Sequence, residues 1–177
     1  IAVQNIGSQI EAISWMTTGG FSTALSAFIG QNYGAKKYDR ISEGYKKSIL
    51  LVGLIGIFAT CLLIFLGEPI FRLFIPNDEK AIAEGAIYLK ILGGSQFFMC
   101  IEIATAGAFN GLGKTIPPAF VGILFNALRI PGSIILPKYT SLGLRGVWWS
   151  ISLSSVLKGI VLTTWFILYL KRNEEFN

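Results

Sequence analysis

The sequence predicts an all-α polytopic membrane protein, a bundle of five transmembrane helices, and three observations carry that expectation. Of 177 residues, 53% are hydrophobic and only 14% charged, against about 25% charged in a typical soluble domain. The mean hydropathy is +0.61, and the apolar residues fall in blocks about as long as the ~20 residues needed to cross a bilayer. Basic residues gather at the ends of those blocks, where membrane topology uses them. The net charge of +5 therefore sets topology and does not mark a nucleic-acid binder.

The first helix is expected over about 4–31 and carries no charge between Ala12 and Ala35. Asn5, Gln9, Ser14, Thr17 and Thr18 make it the most polar of the five, so it should face protein or water rather than lipid. Its Gly19-Gly20 pair is an expected bend or close helix contact. Gln31, Asn32 and Gly34 should end it, with Gly34 as a left-handed stop. A basic loop follows, holding Lys36, Lys37, Arg40, Lys46 and Lys47. The second helix, 48–67, is free of charge over its whole length. Pro69 and Pro76 should break any helix in the acidic connector that comes next. The third helix is expected over 87–110, and Gly111-Leu112-Gly113-Lys114 links it tightly to the fourth, 116–136. Pro117 and Pro118 suit a first turn, while Pro131 should kink the interior. The fifth helix, 147–170, ends in Lys171-Arg172 and a short polar tail.

Orientation follows from the bases. If the 31–47 loop is cytoplasmic, that side collects Lys36, Lys37, Arg40, Lys46, Lys47, Lys114, Lys171 and Arg172, eight in all. The opposite side holds four, Arg72, Lys80, Lys138 and Arg145. This asymmetry puts the C-terminus in the cytoplasm and Ile1 outside, in a multi-pass protein of the cell membrane. An odd number of helices and a start other than Met point to at least one helix upstream.

Glu102 is the residue that asks for a function. It lies in a stretch from Ile91 to Gly113 that is otherwise uncharged, and a charge at the centre of a membrane helix costs roughly 2.5–3.5 kcal/mol on insertion scales. Ionisable groups kept at such depth serve ion, proton or substrate pathways, or pair with an intramembrane base. Arg129, deep in the fourth helix, and Lys158, near the middle of the fifth, are the available bases, and a buried ion pair would lower the insertion cost. Ser154, Ser155 and Gly159 around Lys158 would suit a wet surface. Glu11, in the outer half of the first helix, either faces a cavity or caps an interfacial network. The aromatics Tyr139, Trp148, Trp149, Trp165 and Tyr169 suit the two interfacial belts. Phe97, Phe98 and Phe109 are read as core packing ahead of a cation–π cavity. Cys61 and Cys100 are read as buried small hydrophobes with no disulfide intended. The chain has no histidine, and no nucleophile–base or metal constellation is visible, so an enzyme is not expected.

Several motifs carry a resemblance. The runs Gln9-Ile10-Glu11-Ala12-Ile13-Ser14-Trp15-Met16, Gly20-Phe21-Ser22-Thr23-Ala24-Leu25 and Gly30-Gln31-Asn32-Tyr33-Gly34-Ala35 resemble the C-terminal lobe of the multidrug and toxic compound extrusion (MATE) family. So do the run from Gly107 to Pro117 and Gly143-Leu144-Arg145-Gly146-Val147-Trp148-Trp149. The family often has Arg-Gly where this chain has Asn110-Gly111, and some members have an acidic residue where it has Met99, one turn before Glu102. The resemblance implies that residues 1–177 are a partial C-terminal transmembrane lobe, helices eight to twelve of a twelve-helix antiporter. The N-terminal lobe of the same chain would then complete the transporter.

What the resemblance implies about activity is secondary active efflux of drugs or organic cations, exchanged for H⁺ or Na⁺, with no other cofactor. Glu102, Glu11, Arg129 and Lys158 are the cation-coupling or substrate-cavity candidates, and Glu102 is also a possible Na⁺ site. Two alternatives stay open. A lipid-linked sugar flippase of the same superfamily would have Arg129 and Lys158 facing a cationic cavity. A non-transporting membrane scaffold or remnant would pair its charges statically.

Overall fold

The computed structural model describes residues 2–140 and 143–173; Ile1 and the polar tail beyond Asn173 lie outside the described residues. Six helices follow one another: α1 (Ala2–Gly34), α2 (Tyr38–Phe65), α3 (Gly67–Phe74), α4 (Glu79–Gly111), α5 (Ile116–Tyr139) and α6 (Leu144–Arg172). By length and composition, α2, α4, α5 and α6 can each cross a membrane. The helix α1 is as long as α4, but its Ser, Thr and Gln residues keep it below the apolar character of the other four.

The basic loop is mostly helix. Nothing between Tyr38 and Phe65 breaks the backbone, and Ile41 and Tyr45, one turn apart, are buried in a core that pulls the early turns of α2 inward. The acidic connector holds α3, because Pro69 falls in the first turn of that helix, where the missing N–H is no loss. Pro76 does separate two helices, and Asp78 then caps α4 by accepting from the Ala81 N–H at 3.0 Å. Gly34 remains helical; the left-handed residue is Lys36, with φ 55°.

The central element is α4, which packs against α1, α2, α3 and α6, whereas α5 packs chiefly on α6. The Gly19-Gly20 pair meets open space, so the expected close contact is not there. It lies instead at Gly107 and Gly111, four residues apart on α4. A Cβ on Gly107 would stand 2.4 Å from the Ser22 carbonyl oxygen, and one on Gly111 would stand 2.5 Å from that of Ser26. Small residues at this spacing let two membrane helices approach at backbone distance. The Ser22 hydroxyl donates to the Ile103 carbonyl at 2.7 Å across the same seam.

One core cluster surrounds Phe109, Phe166 and Tyr45, and a second surrounds Phe71, Leu89 and Trp148. Trp148 is 2% exposed and meets Tyr88 edge-on at 5.2 Å, so it is a core residue and not part of an interfacial belt. Trp149 and Tyr139 are exposed as belt residues should be, and so to a lesser degree is Trp165. Phe109 is fully buried, as the packing reading expects. Cys100 is buried, but Cys61 is exposed, since it lies on the outward side of α2. Both proline positions inside α5, Pro131 and Pro137, are spanned by continuous helix.

Candidate functional site

Four helices each contribute a polar stripe at helical spacing, and the stripes converge on one cavity of about 490 Å³. From α1 come Gln4, Ser8, Glu11 and Trp15; from α4, Tyr88, Ser95, Met99 and Glu102. Asn126 and Arg129 enter from α5, and Ser155 and Lys158 from α6. Steps of three and four residues keep side chains on a single helix face. All four residues singled out in the sequence, Glu11, Glu102, Arg129 and Lys158, line this cavity.

The charges are held in different ways. Lys158 Nζ stands 3.4 Å from Glu102 Oε2, with both side chains largely buried. Arg129 is held by hydroxyls: its Nε donates to Ser154 Oγ at 2.6 Å and its Nη2 to Ser155 Oγ at 2.9 Å. Those two serines in turn donate to the Ile151 carbonyl at 2.8 and 3.0 Å, so each hydroxyl presents its lone pairs to the guanidinium. Glu102 is also near enough to Arg129 to attract it. The α5–α6 contact that allows this geometry is close, because a Cβ on Gly132 would meet Ser150 Oγ at 2.5 Å and one on Gly146 would meet Pro137 N at 2.9 Å.

Glu11 is 4% exposed, and among the described residues its Oε1 has no hydrogen-bond partner. The Tyr88 hydroxyl is its electrostatic neighbour, and Trp148 holds the Tyr88 ring in place. One turn along α1, Ser14 donates to Gln96 Oε1 at 3.4 Å, while Gln96 Nε2 is likewise without a partner among the described residues. One turn further, Thr18 donates to Cys100 Sγ at 3.3 Å. The α1–α4 seam is therefore a polar ladder, opening at Glu11 onto the cavity.

Tyr88, Ser95 and Asn126 were not anticipated as site residues. The signal for the α4 pair was present: Tyr88, Ser95 and Glu102 are seven residues apart in turn, which places them on one face once α4 begins at Glu79. Asn126 had the same relation to Arg129, three residues on.

The MatE family model matches residues 1–135. A relative from Thermotoga maritima, named a probable multidrug resistance protein NorM, is 32% identical over 153 residues, which cover 83% of this chain and 32% of the relative. Among solved structures, one described as the inward-facing conformation of a multidrug resistance MATE family transporter superposes with a TM-score of 0.86 at 20% identity, over 95% of this chain and 39% of that one. A transporter of the MOP superfamily from Pyrococcus furiosus, described as having a binding pocket of reverse polarity, superposes with a TM-score of 0.86 at 22% identity, over 96% of this chain and 38% of that one. The chain thus spans about a third of the length of the relatives it matches. Its helices, its motifs and these matches agree: this is a membrane protein, and the chain belongs to the MATE family of transporters.

Proposed function

We propose that these helices form part of the C-terminal lobe of a transporter that exports drugs or organic cations across the cell membrane in exchange for H⁺ or Na⁺. One observation carries the reading: ionisable side chains from four different helices line a single cavity of about 490 Å³, within the roughly 300–1,000 Å³ typical of small-molecule sites. Charges placed at such depth are costly and mark transport pathways. Relatives bearing multidrug-resistance names support the drug-efflux part. The N-terminal lobe of the same polypeptide supplies the opposite wall, and α1 crosses the bilayer with its polar face covered by protein. The C-terminus lies in the cytoplasm, following the distribution of basic residues.

Glu11 and Glu102 are the groups that take up the coupling cation. At Glu102 a Na⁺ ion competes with the Lys158 ammonium 3.4 Å away, so uptake there frees Lys158 and shifts α6 against α4. Glu11 has an oxygen without such competition. Drug accumulation tests the reading: the full-length polypeptide is expressed in a sensitive host, beside Glu11→Gln and Glu102→Gln at matched membrane expression. Wild type lowers accumulation, and each variant loses most of that effect. Undiminished efflux by both variants would remove the carboxylates from the pathway.

The flippase reading draws on Arg129 and Lys158, which both line the cavity. It calls for net positive charge, however, and two carboxylates balance the two bases there.

A further inference from the structure

A groove of about 590 Å³ runs between α1 and α2 at the basic end of their hairpin, apart from the cavity that holds Glu11 and Glu102. A Cβ on Gly44 would run into the Phe28 ring, so these two residues, each eight positions from Lys36 in the turn, face one another. Antiparallel helices then bring Leu51 opposite Phe21, seven residues deeper on each side. Phe21, Leu25 and Phe28 follow at helical spacing along α1, as Arg40, Gly44, Lys47 and Leu51 do along α2. All seven line the groove.

The groove is therefore graded from charged to apolar. Arg40 and Lys47 stand at the mouth, Ser48 follows, and Phe21, Leu25 and Leu51 form the deep part. Arg40 and Leu51 are eleven residues apart, about 16 Å of helix, or half of the ~30 Å hydrocarbon core. Phe21 and Phe28 are each 36% exposed and Leu51 46%, so the described residues do not cover that wall. The mouth is net positive. Lys47 holds Glu43 at 2.7 Å, and Arg40 also draws on Glu43 electrostatically, so one carboxylate serves two bases. Among the described residues, no carboxylate forms an ion pair with Arg40.

A guanidinium matches phosphate oxygens bidentately, and basic pockets between membrane helices suit anionic headgroups. A free phosphate would use the mouth and leave the apolar wall bare; a plain hydrocarbon would do the reverse. A molecule with an anionic head and a tail of one leaflet's length satisfies both. We propose that this groove binds an anionic phospholipid, its phosphate on Arg40 and Lys47 beside Ser48, and an acyl chain along Phe21, Leu25 and Leu51. The site stands whether or not the Glu11 cavity carries substrate.

Native mass spectrometry of the purified full-length polypeptide in detergent counts bound lipid. The probes are dioleoyl phosphatidylglycerol and, with the same chains, dioleoyl phosphatidylcholine. Wild type should bind the first phosphatidylglycerol about tenfold more tightly than phosphatidylcholine. Arg40→Gln should lose about tenfold for phosphatidylglycerol, the scale of a lost charge-assisted bond, with little change for phosphatidylcholine. Lys46→Gln removes the same charge from an exposed residue that does not line the groove, and should leave both affinities nearly unchanged. Ala24→Phe, on the groove wall, obstructs the chain with the bases intact and should also weaken phosphatidylglycerol; it carries the test if Arg40→Gln fails to fold. Equal losses in Arg40→Gln and Lys46→Gln would reveal a general surface field and overturn the site. An Ala24→Phe variant that binds as wild type does, displacement of the lipid by equimolar glycerol 3-phosphate, or no preference for phosphatidylglycerol in wild type would overturn it as well.

Discussion

The ammonium of Lys158 on α6 lies 3.4 Å from the Glu102 carboxylate on α4, with side-chain exposures of 10% and 16%. The pair ties the central helix to the last one at the depth where either charge alone would be most costly. Its burial decides what removing one partner does. Glu102→Gln leaves an uncompensated ammonium, at a cost of up to about 3–5 kcal/mol. The double variant Glu102→Gln/Lys158→Met leaves no charge and should recover most of the loss. Thermal unfolding of the full-length polypeptide in detergent checks this; a double variant no more stable than Glu102→Gln would contradict it.

Arg145 and Glu84 form a shorter ion pair, 2.7 Å, but their side chains are 44% and 46% exposed. Exposed pairs contribute about 0–1 kcal/mol. Arg145→Gln is therefore expected to shift the unfolding temperature little, and much less than Glu102→Gln, despite the better distance. The same melting experiment orders the two.

Gly107 and Gly94 lie on the same helix with opposite surroundings. A Cβ on Gly107 would strike the Ser22 backbone, while nothing stands within 4 Å of one on Gly94. Gly107→Ala should destabilise by about 1–3 kcal/mol through overpacking. Gly94→Ala should be neutral or stabilising by up to about 1 kcal/mol, from helix propensity. Unfolding of the two variants side by side gives the comparison.

Trp148 and Trp149 are adjacent in sequence, yet Trp148 is 2% exposed and Trp149 47%. Trp148→Ala should cost about 3–5 kcal/mol, as for a buried large aromatic. Under the proposed function it should also impair efflux by the full-length polypeptide, because the Tyr88 ring beside Glu11 loses its support. Trp149→Ala should do far less of both, by melting temperature and by accumulation assay.

Sequence periodicity made the long apolar helices legible, and their boundaries erred wherever polar residues continued a helix. The charges of Lys46 and Lys47 mark the end of an apolar span in the sequence, but Ile41 and Tyr45 bury one face of those turns and keep them helical. The segment α3 was hidden by Pro69, which breaks a helix in its interior and not in its first turn. Gly19-Gly20 drew attention as a pair, whereas the close approach is at Gly107 and Gly111, a spacing that only matters once a partner helix lies across it. The four ionisable cavity residues were legible because depth makes charge expensive. Which of them pair was not, since pairing between α4 and α6, or α5 and α6, depends on how the helices pack.

The central claim is that these side chains share one water-accessible cavity that receives substrate. The direct measurement is thiol labelling of Met99→Cys, between Ser95 and Glu102 on the cavity face, in the full-length polypeptide with Cys61 and Cys100 replaced by Ala. Ile123→Cys, exposed on α5 and not among the residues lining the cavity, is the control outside the cavity. A charged, water-soluble methanethiosulfonate should react with Met99→Cys much faster than with Ile123→Cys, and rhodamine 123 should slow the first reaction alone. Equal, slow labelling at both positions, untouched by the dye, would contradict the account.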